Sequence, residues 1–102
     1  MGLKEAVEGA LQETVKYEPP RRYQVILLND HYSTWEFVIL VLKTIFHKNE
    51  EEAVKITSYV HNNGMGICGE YVYEVAETKV AQVRACAKEH QYPLKCTMRE
   101  IL

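Results

Sequence analysis

Tyr23-Gln24-Val25-Ile26-Leu27-Leu28-Asn29-Asp30 decides how the rest of the chain is read. Its first six residues are apolar, β-branched or aromatic for the most part, the composition of a strand. Four apolar residues in succession imply a strand covered on both faces, or covered by helices on one and shielded on the other. The run then stops on two hydrogen-bonding residues, Asn29 and Asp30. A second polar break follows later, where the helix-like segment ending at Val60 meets His61-Asn62-Asn63-Gly64. Polar groups set where apolar elements end can converge on the rim of an apolar pocket.

Working forward, Ser33 stands three residues before Glu36, the spacing of a capping box, and predicts a helix start at Ser33. The helix is expected to run to about His47. Trp35, Val38, Leu42, Ile45 and Phe46 form one stripe, which Phe37, Leu40 and Val41 widen. Asn49 followed by Glu50, Glu51 and Glu52 predicts a second helix, with carboxylates at the positive end of its dipole. Ala53, Ile56 and Val60 face inward, and Asn62-Asn63-Gly64 supplies a left-handed stop. A link this short makes the two helices an antiparallel hairpin.

Residues 65–73 read as a second strand, in which Gly66 and Gly69 point to a bulge or a close approach. A third helix opens at Glu74 and buries Ala76, Val80, Val83 and Ala87, small residues suited to close packing on a sheet. It ends at His90-Gln91-Tyr92-Pro93. Residues 94–100 alternate Leu94, Cys96 and Met98 with Lys95, Thr97 and Arg99, a half-buried third strand. The order β-α-α-β-α-β with a three-stranded sheet implies an α/β fold, a small two-layer sandwich.

Working backward, Pro19-Pro20 divides the chain. Leu3, Val7, Ala10, Leu11 and Val15 give residues 1–20 only a weak amphipathic pattern, so a mobile extension is expected ahead of a core domain at residues 21–102. The whole chain has 102 residues, enough for one domain, and its hydrophobic content of 47% suffices for a core. A net charge of −2 argues against a nucleic-acid partner. Three cysteines without a CxxC pair read as reduced thiols in a cytoplasmic protein. The longest apolar run, Phe37 to Leu42, is too short to span a bilayer. No cofactor or metal is expected, because the four histidines lack ligand spacing.

The residues from Tyr23 to Glu100 resemble the ClpS family of adaptors in bacterial ATP-dependent proteolysis. The motifs are Val25-Ile26-Leu27-Leu28-Asn29-Asp30, Glu36-Phe37-Val38, Val60-His61, Gly66-Ile67-Cys68-Gly69 and Glu74-Val75-Ala76-Glu77-Thr78-Lys79-Val80, followed by His90 to Thr97. They occur in the family's order and at its spacing. The resemblance implies the fold just derived, no catalytic activity, and recognition of N-degrons. These are proteins whose first residue is Leu, Phe, Tyr or Trp with a free α-amine, delivered to the ClpA unfoldase, or ClpC in some relatives, for degradation by ClpP.

By that resemblance Asn29, Asp30 and His61 hold the α-amine. Ser33, Trp35, Val38, Leu40, Thr57, Val60 and Leu94 line the side-chain pocket. Glu74 and Lys79 meet the unfoldase's N-terminal domain, and residues 1–20 match the family's mobile extension in position. A monomer is the simplest expectation. Three positions depart from the family's usual pattern. His31 replaces a second acidic residue, Thr34-Trp35 replaces Pro-Met, and Thr57 replaces Met. They imply an altered ranking among the first residues.

Taken singly, these residues have plainer readings. Asn29-Asp30 is a turn that caps a helix, His61 a satisfied helix end, Trp35 core, and Glu74 with Lys79 a solvated face. An enzyme would need His61 beside Cys68 or Cys96 as base and nucleophile, yet both cysteines sit in apolar strand patterns. The ribosomal stalk protein's C-terminal domain offers another binding module on the same fold, without need of the Asn-Asp and His acceptors.

Overall fold

A computed structural model describes residues 18–102; the expected amphipathic segment at residues 3–15 lies outside them. Glu18 to Arg21 are exposed, and Glu18, Pro19, Pro20 and Arg21 carry no regular structure. The elements then follow as β1 (Arg22–Leu28), α1 (Trp35–Thr44), α2 (Glu50–Asn63), β2 (Met65–Val72), α3 (Tyr73–Glu89) and β3 (Lys95–Glu100). The order β-α-α-β-α-β is the one read from the sequence. The sheet order is β2-β1-β3, with both pairings antiparallel.

β1 is the central strand, which explains its apolar run. Val25 and Leu27 are fully buried in the core beneath the helices. Ile26 points to the other face and is still only 3% exposed, flanked across the ladders by Ile67 and Thr97. The sequence signature of a covered strand therefore arises from helices on one side and from neighbouring strands on the other.

β2 contains the expected bulge. Val25 pairs with Gly69 and Ile26 with Ile67, so Cys68 is the additional residue. Its thiol is buried and belongs to the core. The bulge changes the alternation. Strict period two from Gly66 and Cys68 would bring Glu70 inward, but Glu70 is exposed and Tyr71 packs against the core instead. Gly66 has a separate reason to be glycine: a Cβ there would lie 2.6 Å from Cγ2 of Val60. That contact lets β2 approach the last turns of α2.

The helix ends partly correct the sequence reading. α2 begins as expected, with the Asn49 side chain accepting from Glu52 N–H, and ends at Gly64 with φ 87°. α1 is different. Its cap is Thr34, whose hydroxyl accepts from Phe37 N–H at 3.1 Å. Ser33 is not the cap because its N–H is drawn to Asp30 Oδ1 at 2.6 Å, which holds it in the preceding turn. α1 also stops at Thr44, short of His47, whose φ of 56° leaves the helical region.

α3 packs its small-residue face, Ala76, Val80, Val83 and Ala87, against the sheet, and all four are buried as expected. α1 contributes Phe37, Val38, Val41 and Leu42, and α2 contributes Ala53, Thr57 and Val60. Trp35 and Leu40 are 42% and 41% exposed, so the apolar stripe of α1 is narrower than its composition. Among the described residues, no helix is long and apolar enough to cross a membrane.

Candidate functional site

The two polar breaks in the sequence meet in space. Asn29 N–H donates to Gly64 O at 2.8 Å, and Leu28 pairs with Met65. The end of β1 is thereby tied to the end of α2. Around this junction is a cavity of about 270 Å³. The segment after β1 gives it Asn29, Asp30, His31 and Ser33; α1 gives Trp35 and Val38; α2 gives Thr57, Val60 and His61. Positions 57, 60 and 61 share a helix face at i, i+3 and i+4, as do 35 and 38 at i, i+3. Drug-sized ligand pockets run from about 300 to 1,000 Å³, so this cavity suits a single side chain better than a length of peptide.

Asn29 and His61 are exposed, placed to reach a ligand. Asp30 is engaged differently. Its Oδ1 accepts from Tyr32 N–H at 2.8 Å and Ser33 N–H at 2.6 Å. Its Oδ2 is buried and lacks a partner, as is Ser33 Oγ. The Ser33 hydroxyl lies close enough to influence the Asp30 charge, yet it makes no hydrogen bond of good geometry. Partial burial pushes the Asp30 pKa up. The Ser33 and Tyr32 donors and the nearby His31 outweigh that and hold it below the ordinary 3.8.

A depressed folded-state pKa makes the carboxylate stabilising above the unfolded value, and that stability is lost as pH falls through the folded value. Asp30→Ala is expected to cost about 1–3 kcal/mol at pH 7, from two orphaned N–H groups beside the cavity. Asp30→Asn keeps an acceptor oxygen and should cost less. Urea unfolding of the three proteins checks this, and the gap between wild type and Asp30→Ala should narrow as pH falls below 3.8, towards the gap between Asp30→Asn and Asp30→Ala. Equal stabilities at pH 7 would remove Asp30 from this structural role.

Thr57 is 4% exposed, and its hydroxyl donates to Ala53 O at 2.7 Å. Its one donor is thus engaged by its own helix, which makes the cavity wall less polar than a free hydroxyl would. Val38 and Val60 are buried and complete the apolar wall. Trp35 is not core; it stands half out of the surface beside the cavity.

Two residues assigned to the pocket by resemblance do not line it. Leu40 lies on the solvent side of α1 with Glu36, Ile39 and Lys43. Two positions on from Val38, a helical residue has turned by about 200° and faces away. Leu94 is 5% exposed within the core. Conversely, His31 lines the cavity, although the sequence marks it only as a departure from the family's pattern. Its adjacency to Asp30 was the available signal.

Glu74 and Lys79 lie away from this cavity on α3, about 140° apart around the helix axis. Glu74 is exposed in the first turn. Lys79 Nζ donates to Ile45 O at the end of α1 and sits 5.9 Å from the centroid of Tyr71. A lysine at a helix C-terminus answers the negative end of the dipole, so Lys79 fastens α3 to α1 whatever else it does. It also lines a second, shallower hollow of about 430 Å³ with His47, Gln82 and Glu89.

His61 is not paired with the thiol of Cys68 or of Cys96; the thiol–imidazole contact among the described residues is Cys86 Sγ to His90 Nδ1 at 3.8 Å, outside the cavity. Cys68 and Cys96 are buried, whereas His61 is at the surface. Burial and the neighbouring Cys96 push the Cys68 thiol far up, and burial pushes Cys96 to about 12. Both stay protonated and unreactive. Among the described residues, no three His, Cys, Asp or Glu side chains are grouped to hold a metal ion.

The profile of the ATP-dependent Clp protease adaptor protein ClpS matches residues 18–97. A Phenylobacterium zucineum ATP-dependent Clp protease adapter protein ClpS is 50% identical over 99 residues, covering 97% of this chain and 89% of that protein. The protein of the same description from Caulobacter vibrioides is 53% identical over 85 residues, covering 83% and 78%. Agrobacterium tumefaciens ClpS2, solved bound to L-phenylalaninamide, superimposes with a TM-score of 0.79 at 32% identity, covering 81% of this chain and 100% of that one. Fold, motif order and relatives agree: the chain belongs to the ClpS family of Clp protease adaptors.

Proposed function

We propose that this chain binds N-degrons, taking a free α-amine at Asn29, Asp30 and His61 and a large first side chain in the cavity beside them. The observation that carries the reading is the convergence of those three polar residues on one cavity walled by Trp35, Val38, Thr57 and Val60. An α-ammonium brings three donors and a positive charge. An amide oxygen and a neutral imidazole nitrogen accept its protons, and the Asp30 carboxylate adds negative potential. Burying one large apolar side chain contributes about 1.5–3 kcal/mol. The Agrobacterium relative bound to L-phenylalaninamide supports this choice, since that ligand unites a free amine with an aromatic side chain.

The bound protein is then delivered to a ClpA-type unfoldase for degradation by ClpP. The exposed first turn of α3, with Glu74, is the docking face, Lys79 supports it, and residues 1–20 serve the hand-off. The core at residues 21–102 suffices for peptide binding. A monomeric, cytoplasmic adaptor without enzymatic activity fits this role. A stalk-like interaction module is the weaker reading, because it gives no reason for acceptors around a cavity of this size.

Peptides differing only in the first residue test the pocket by fluorescence anisotropy. Phe, Tyr, Trp and Leu peptides should bind at least about tenfold more tightly than Val or Ile peptides, from the lost burial and the clash of a β-branch near Trp35. Equal affinities for Val and Phe would overturn the discriminating pocket.

A further inference from the structure

We infer that His31 makes this site responsive to acid, so that lowering the pH releases a bound α-ammonium; the inference rests on the N-degron reading above. Asp30 Oδ1 is taken by Tyr32 N–H and Ser33 N–H, and Asp30 Oδ2 is buried. Among the described residues Asp30 is the one carboxylate lining the cavity, and it attracts the amine chiefly through its field while it also positions the loop. The acceptors left exposed are Asn29 and the imidazoles of His31 and His61.

An imidazole accepts a hydrogen bond only while neutral; an imidazolium has two donors and no acceptor. Histidine side chains change charge between about pH 5 and 8. The other surroundings do not buffer that change. α1 presents Trp35 and Val38 to the cavity, and α2 presents Thr57 and Val60 beside His61, none of them charged. Asp30, His31 and His61 are the titratable groups among the lining residues. With both imidazoles neutral the lining carries the Asp30 charge alone. With both protonated its net charge turns positive, against a positively charged ligand. His31 also lies near enough to Asp30 to act on its ionisation, so an imidazolium there offsets the one attractive charge.

The test is the affinity of a fluorescein-labelled peptide beginning with Phe, measured from pH 8 to pH 5.5 for the full chain and for His31→Gln and His31→Asp. The ligand's amine and His61 are common to all three proteins, so ratios between proteins isolate position 31. Between pH 8 and 5.5, the advantage of His31→Gln over wild type should grow by about fivefold, the size of one screened charge–charge contact near a surface. His31→Asp should bind more tightly than wild type, and its advantage should widen further on acidification. A ratio of His31→Gln to wild type that stays constant with pH would overturn the inference while leaving the degron reading intact. If the folded wild-type chain fails to bind the peptide at pH 8, the degron reading itself falls, and this inference with it. Thermal unfolding at each pH shows whether the chain is folded in both cases.

Discussion

Acetylating the α-amine of a Phe-initiated peptide is expected to weaken its binding to this chain by at least about 100-fold. The side chain is untouched, so burial in the cavity is the same before and after. What changes is the charge and the donor count. The ammonium offers three N–H donors, and the acetamide offers one in a different direction, with a methyl group where the others were. Leaving a desolvated acceptor unpaired costs about 1–3 kcal/mol per group, and Asn29 and His61 are two such acceptors at the cavity. The loss of attraction to Asp30 adds to this. Every 1.4 kcal/mol is tenfold, so two acceptors alone reach the stated factor. Competition anisotropy with the free and acetylated peptides measures it. Affinities within a few-fold of one another would mean that the cavity takes apolar side chains regardless of the chain end. That result would favour a general interaction module of this fold over a reader of N-termini.

The parts of the fold legible in the sequence were those decided locally. Asn49 before three glutamates and Gly64 after Asn63 mark the ends of α2 because each cap acts within a few residues. β3 alternates cleanly because one of its faces is open. What sequence could not rank was competition between neighbours. Ser33 and Thr34 are both cap formers, and the choice falls to Thr34 only because Asp30 captures the N–H of Ser33. The bulge at Cys68 was signalled by glycines, but its consequence, Tyr71 turned in and Glu70 turned out, depends on register with β1. α1 is apolar nearly all round, so periodicity could not separate Val38, at the cavity, from Leu40, on the solvent side. For the site, residue patterns alone reached only a pair of polar breaks. The common purpose proposed for them came from resemblance, and the structure supplied the tie between Asn29 and Gly64 that brings them together.

Phe37→Ala is expected to cost about 3–5 kcal/mol of stability and to weaken degron binding as well. Phe37 is 4% exposed in the first turn of α1. Its ring lies 4.5 Å from that of Tyr92 and 5.2 Å from that of His90, centroid to centroid. It therefore fastens the start of α1 to the turn between α3 and β3. Its N–H also closes the Thr34 cap at 3.1 Å, and Thr34 Oγ1 reaches the Tyr92 hydroxyl at 3.5 Å. Removing the ring opens a large void at a point where two elements and a loop meet, so relaxation of one cannot fill it. A small domain is stable by about 5–15 kcal/mol in total, so this loss is a large share. The same turn carries Trp35, and the next carries Val38, both on the cavity wall. Loosening it raises the cost of ordering the wall around a ligand. Urea unfolding and peptide titration on one preparation measure the two effects together. Phe37→Leu, which retains most of the volume, should lose much less of both. A loss of stability under about 1 kcal/mol for Phe37→Ala would show that α1 is held by Val41 and Leu42 instead, and that the pocket wall is independent of the aromatic contact.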